Sequence, residues 1–145
     1  MATIGEMLRR KGSTVHVIEP EATVLAATQI MNRMKIGALM VTEQGRVAGI
    51  FTERDVLRRV VAEERNPAVT RVEEVMTTEL ACATRETSLE EASLVMKNRR
   101  IRHLPVCDDD GQLVGLVSIG DLNAWEADGH ETTIHFLNEY IHGRV

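Results

Sequence analysis

The stretch "GIFTERD" (residues 49–55) returns 66 residues later as "GLVSIGD" (residues 115–121). Each reads Gly, two apolar residues, a hydroxyl residue, two variable positions and Asp. Fixed-period self-similarity decides an architecture before any single element does. Working backwards at a spacing of 65, "EATVLAATQIMNRMKIGALMV" (21–41) lies on "ETSLEEASLVMKNRRIRHLPV" (86–106), aligning Met31 with Met96, Ile36 with Ile101, Leu39 with Leu104 and Val41 with Val106. One extra Asp in "DDDGQ" lengthens the spacing to 66, so Gly45 meets Gly111, Thr52 meets Ser118 and Asp55 meets Asp121. The chain therefore divides into halves at 11–64 and 75–128, with a polar linker at 65–74 containing Asn66 and Pro67. An N-terminal segment, 1–10, and a C-terminal tail, 129–145, flank them.

Composition narrows the class. At 145 residues and 43% hydrophobic, the chain suits one ordinary globular unit. With aromatics at 3%, the core must be built from Val, Leu, Ile, Ala and Met. No run approaches the roughly 18 apolar residues of a membrane span, and "MATIGEMLRRKGS" lacks the apolar centre of a secretory signal. Cys82 and Cys107 make no disulfide framework. The expectation is a cytoplasmic protein without membrane attachment. The formal net charge of -5 argues against general nucleic-acid binding.

Each half carries the same coarse pattern. "TVHVI" (14–18) is short, alternating and β-branched, which predicts a strand. Thr23 precedes Val24, Ala27, Met31 and Met34, an apolar stripe at helical spacing. In the second half Ser88 and Glu91 form the capping-box pattern ahead of Leu89, Ala92 and Met96. "GALMV" and "VAGIF", separated by "TEQGR", predict a hairpin, and "HLPVC", "DDDGQ" and "LVGLV" repeat it. "TERDVLRRVVAE" then opens a second helix. The order per half is strand, helix, strand, strand, helix.

Two readings of the repeated motif follow. Thr52-x-x-Asp55 and Ser118-x-x-Asp121 have the form of a helix capping box, which is the structural reading. The same geometry also makes an anion site, because a helix start presents free N–H groups. A hydroxyl there can meet a phosphate, and a carboxylate one turn in can accept from vicinal hydroxyls such as those of ribose. Both readings can hold at once.

With its preceding hairpin and Gly in two registered copies, the pattern resembles a tandem pair of cystathionine-β-synthase (CBS) domains, the Bateman module. "IGALMV…GRVAGIFTERD", "IRHLPV…GQLVGLVSIGD" and the lead-in "VEEVMT" (72–77) carry the resemblance, which spans residues 11–128. It implies a mixed α/β (α+β) fold of two β-α-β-β-α repeats packed sheet to sheet about a pseudo-two-fold axis. It also implies a regulatory module for an adenosine nucleotide of the AMP, ADP and ATP class, with S-adenosylmethionine or NADH as alternatives. One cleft would use Thr52, Arg54 and Asp55 with Arg102, His103 and Pro105, and Thr77 as a further lining residue. In it Asp55 would hold the ribose, Thr52 and Arg54 the phosphate, and the 102–105 backbone the adenine edge. The other cleft would use Ser118 and Asp121 with Ile36, Gly37 and Ala38, and Lys11 or Thr14. Met40 stands where the second copy has Pro105, and Gly120 stands where the first has Arg54. The Thr52 cleft is therefore expected to bind phosphorylated ligands more tightly.

The remaining residues invite plainer readings. No nucleophile or paired carboxylate accompanies His103, so it is expected to line a pocket. Cys82 and Cys107 fall in strand runs and are expected as buried small hydrophobes. "DDDG" (108–111) lacks the alternation of a calcium loop and reads as a hairpin turn. Arg58, Arg59 and Arg99 read as a solvated helix face, whereas Arg54 and Arg102 read as phosphate-facing. No catalytic motif appears, so neither enzymatic activity nor a catalytic cofactor is expected. The competing reading is an interaction module with empty clefts. The tail stripe of Ile134, Leu137 and Ile141, with Phe136 and Tyr140 nearby, together with the helix faces, points to a homodimer. An effector protein would relay its output.

Overall fold

The computed structural model describes residues 2–128, and the tail stripe lies outside them. Helix α1 (Ile4–Lys11) comes first, capped by Thr3, whose hydroxyl accepts from the Glu6 N–H at 3.3 Å. Strand β1 (Val17–Ile18) is shorter than the 14–18 run suggests. Val15 instead joins a cluster between the sheets. Helix α2 (Val24–Met34) starts at Thr23, whose hydroxyl accepts from Ala26 N–H at 3.1 Å, and ends on Lys35 in the left-handed region. Strands β2 (Ala38–Glu43) and β3 (Arg46–Thr52) form the first hairpin. A short α3 (Glu53–Asp55) runs into a π-helical turn, Val56–Val61.

The second half repeats this order after α4 (Val72–Val75): helix α5 (Leu89–Arg99), strands β4 (His103–Cys107) and β5 (Leu113–Ser118), then α6 (Ile119–Asp128). Ser88 caps α5 by accepting from Glu91 N–H at 3.1 Å. Arg100 closes it in the left-handed conformation, 65 residues after Lys35 does the same for α2. Both hairpin turns place a glycine, Gly45 or Gly111, at φ 80, a backbone shape that favours a residue without Cβ. Asp108 Oδ1 accepts from the N–H groups of Asp110 and Gln112, so "DDDG" is the expected turn.

The first sheet has the order β1-β2-β3, with β1 parallel to β2 and β2 antiparallel to β3. The second sheet is the antiparallel pair β4-β5. Its expected first strand is reduced to one parallel bridge, Ala83 to Val106. Alternation along the strands sorts the side chains. Leu39, Val41 and Phe51 face the helices of the first half, whereas Ala38, Met40 and Ile50 meet Leu113 and Leu116 of the second sheet. The two repeats therefore pack sheet to sheet.

The lead-in helices cross between the halves. Val72 and Val75 of α4 are buried in the first core with Val24, Met31 and Phe51. Ile4, Met7 and Leu8 of α1 are buried in the second core with Ala92, Met96 and Leu104. The docking bonds are themselves repeated. Ile4 N–H donates to Thr87 O at 2.9 Å, as Val72 N–H does to Ala22 O at 2.8 Å. Gly5 N–H donates to Arg85 O, as Glu73 N–H does to Pro20 O. Leu89 N–H donates to Ala2 O, as Val24 N–H does to Thr70 O. Both the 1–10 segment and the 65–74 linker thus contribute residues to a core or to its backbone ladder.

The glycine that opens each motif has its reason in this crossing. A Cβ on Gly49 would sit 2.7 Å from Met76 Sδ and 2.8 Å from Thr77 O, and one on Gly115 would sit 2.8 Å from Leu8 Cδ1. Each hairpin needs that gap to receive the lead-in segment that packs on it.

Candidate ligand-binding site

Both repeated motifs form complete capping boxes. Asp55 N–H donates to Thr52 Oγ1 at 3.2 Å, and Asp55 Oδ2 accepts from Thr52 N–H at 3.0 Å and from its hydroxyl at 3.2 Å. Asp121 N–H donates to Ser118 Oγ at 3.0 Å, and Ser118 N–H donates to Asp121 Oδ2 at 2.8 Å. The reciprocal bonds satisfy two orphan donors per helix start.

What each carboxylate meets next differs. Gly49 lets Ile50 and Thr77 exchange backbone bonds, both at 2.9 Å. This fixes the Thr77 hydroxyl 3.0 Å from Asp55 Oδ1. Arg59 Nε stands 3.8 Å from the same oxygen, while its Nη1 donates to Met76 O at 2.8 Å and Val75 O at 3.3 Å. Arg59, exposed as expected of a helix face, also ties α4 to the π-helical turn. Asp55 is only 5% exposed. Asp121 instead meets Lys11 Nζ at 3.1 Å, and Lys11 also donates to Leu116 O at 3.0 Å.

A cavity of about 710 Å³ opens beside the first helix start. Thr52, Arg54, Asp55, Thr77, Arg102 and His103 all line it, as the sequence grouped them. Gly37 and Ser118, assigned to the other cleft, line it too. Its lining combines apolar Ile50, Leu80, Ala81 and Ile101 with four arginines, Arg54, Arg99, Arg100 and Arg102, and the acidic residues Glu53, Asp55 and Glu79. Arg99, read from the sequence as part of a solvated helix face, lines the cavity together with Arg100, the left-handed residue that closes α5.

Other candidates lie elsewhere. Pro105 is buried, and its carbonyl accepts from Ala83 N–H at 2.8 Å. The Arg102 carbonyl accepts from Ile119 N–H at 2.9 Å. Those two backbone acceptors are therefore already engaged. Ala38 is buried between the sheets, Ile36 lines a separate recess with Met31 and Lys35, and Thr14 is exposed. Cys82 is exposed and Cys107 half-buried, which corrects the expectation of two buried thiols. Both follow from Ala83 and Val106 taking the core side of their bridge, leaving the adjacent residues on the other face. Burial, and then the Arg102 charge, hold the His103 imidazole below its ordinary pKa against the opposing pull of Asp121 and Glu53. The environment thus favours the neutral ring of His103, which suits it to lining a pocket.

Known proteins share the sequence pattern and the fold. The sequence profile of the CBS domain matches residues 4–62 and again 72–128. The mitochondrial CBS domain-containing protein CBSX3 of Arabidopsis thaliana is 37% identical over 150 residues, covering 97% of this chain and 72% of that protein. The CBS domain-containing protein YhcV of Bacillus subtilis is 41% identical over 108 residues, covering 74% of this chain and 76% of that protein. A solved structure of a protein with CBS domains from Burkholderia ambifaria superposes with a TM-score of 0.78 at 40% identity, covering 83% of this chain and 90% of that one.

Proposed function

The chain belongs to the CBS domain family and carries the domain twice, and from that premise we propose that it is a non-enzymatic sensor of adenosine nucleotides. CBS domain pairs are generally regulatory modules that bind ligands. The observation that carries the finer reading is the convergence of the Thr52–Asp55 helix start and four arginines on one cavity of about 710 Å³. That volume lies within the roughly 300–1,000 Å³ typical of small-molecule sites.

The chemistry of the walls suggests the pose. Asp55 accepts a neutral hydroxyl from Thr77 at 3.0 Å, so a ribose hydroxyl can take that place like for like. Arg54 and Arg102 present guanidinium forks to phosphate oxygens, supported by Arg99 and Arg100. Ile50, Leu80, Ala81 and Ile101 supply apolar surface for a base. The ligand acts as a regulatory effector, and no catalytic cofactor is invoked.

Output passes through a second copy or an effector protein. Leu57 and Val61, four residues apart and each 62% exposed, and Leu94 at 58%, support a homodimer built on these helices. Among the described residues no helix is long and apolar enough to cross a membrane, and cytoplasmic residence belongs to the same proposal.

Calorimetric titration with AMP, ADP, ATP and adenosine tests the reading. Arg54→Ala is expected to weaken the phosphorylated ligands about tenfold or more while leaving adenosine nearly unchanged. Absence of binding by any adenosine compound at millimolar concentration would refute it. Light scattering at micromolar concentration tests the dimer, and a monomeric mass would count against it.

A further inference from the structure

We propose that Cys82 and Cys107 close a reversible disulfide when a peroxide reaches them, and that this bond clamps the 78–82 wall of the cavity to β4. The inference stands on the placement of the two cysteines and is independent of the ligand the cavity takes.

One parallel bridge brings the two residues together. Ala83 N–H donates to Pro105 O at 2.8 Å, and Cys107 N–H donates to Ala83 O at 2.9 Å. Ala83 and Val106 take the core side of that bridge. Cys82 and Cys107 therefore share the opposite face. Cys82 is exposed and Cys107 half-buried. The two thiols act on each other: burial first, and then the neighbouring Cys82 thiol, push the Cys107 thiol up to about 11. The β4–β5 register shifts between Val106 and Cys107, and residues 78–82 belong to no helix or strand. A bulge on one side and an irregular segment on the other give the backbone the freedom that the narrow geometry of a disulfide requires.

These environments set the order of events. Cys107 holds its proton at neutral pH, so the pair rests as a dithiol. Cys82, the exposed thiol, meets hydrogen peroxide first. Its thiolate attacks one oxygen, the O–O bond breaks, and the other oxygen leaves as hydroxide, which takes up the thiol proton and becomes water. Cys82 is then a sulfenic acid. The Cys107 sulfur attacks that sulfur, and the displaced hydroxyl leaves with the Cys107 proton as a second water. Two thiols and one peroxide thus give one disulfide and two waters, and an added dithiol reverses the bond by exchange. Its place couples it to the cavity. Glu79, Leu80 and Ala81 line the cavity just before Cys82, and His103 lines it at the start of β4, the strand that Cys107 ends. The wall is held at one end by the Thr77 bonds to Ile50 and at the other by the Ala83 bridge alone, where the covalent tie would form.

The test treats the reduced full chain with a small excess of hydrogen peroxide and reads intact mass, peptide maps and amide exchange. The expected product is a chain lighter by the two thiol hydrogens, with the Cys82 and Cys107 peptides joined, and dithiothreitol restores the starting mass. In Cys107→Ser the Cys82 sulfenic acid has no partner, so dimedone is expected to label it and to leave the oxidised wild type unlabelled. Amide exchange at 79–81 is expected to slow on oxidation of the wild type and to stay unchanged in Cys107→Ser. An unchanged mass, cross-links between chains in place of the internal bond, or an over-oxidised Cys82 beside a free Cys107 overturns the disulfide. An internal bond that leaves exchange at 79–81 as it was overturns the clamp.

Discussion

Replacing Asp55 by Ala should destabilise the protein far more than an ordinary surface substitution, whether or not a ligand is present. The side chain is 5% exposed and serves three donors: Thr52 N–H at 3.0 Å, the Thr52 hydroxyl at 3.2 Å and the Thr77 hydroxyl at 3.0 Å. Loss of the acceptor for the Thr52 hydroxyl costs about 0.5–1.5 kcal/mol. The N–H and the Thr77 hydroxyl, both half-buried, lose about 0.5–1.5 kcal/mol each. The expected total is about 2–4 kcal/mol, a large share of the stability of a domain this size. Urea unfolding of the wild type, Asp55→Ala, Thr77→Val and the double variant measures it. The cycle isolates the bond between the halves, for which a coupling of about 1 kcal/mol is expected. A loss below about 0.5 kcal/mol for Asp55→Ala, or strict additivity in the cycle, would refute the view that this carboxylate latches α4's segment to the first motif.

Three further outcomes follow from the same coordinates. Gly49→Ala should cost about 1–3 kcal/mol, because its Cβ meets Met76 Sδ at 2.7 Å and the Thr77 carbonyl at 2.8 Å, and unfolding curves will register it. Met7→Ala, at a residue 2% exposed in the second core, should cost about 2–5 kcal/mol, and amide exchange should rise in α5 and β4 while the first hairpin stays protected. The His103 prediction concerns pH. Its folded pKa is lowered, so the unfolded chain binds the extra proton first. Stability is therefore full above about pH 6.5, falls as pH drops below that value, and levels off once the folded ring also titrates. His103→Gln should flatten that part of the stability–pH curve, and an unchanged slope would contradict the assignment.

Much of the architecture was legible in the residues alone. The doubled heptapeptide located both hairpins, and Thr52, Ser118, Thr23 and Ser88 each cap a helix where their spacing said they would. Local chemistry suffices for such features, since a capping bond joins residues three apart and a strand's alternation is written within five residues. The run "GALMV" is apolar throughout, so which of Leu39 and Val41 or Ala38 and Met40 faces the helices was set by the packing.

What only the tertiary structure decided involves partners far apart in the chain. Nothing local marks Ile4 and Met7 as core residues of the second half, or Val72 and Val75 as core residues of the first. Their docking bonds repeat between halves at a spacing of 68 rather than 65, and the segments "TIGEML" and "RVEEVM" share little beyond an apolar rhythm. The crossing in turn decided what each carboxylate meets, Thr77 or Lys11. A sequence specifies which groups can cap, fork or accept. Which group stands 3 Å from a given carboxylate is set by how two cores exchange their helices, and that exchange is a property of the packed whole.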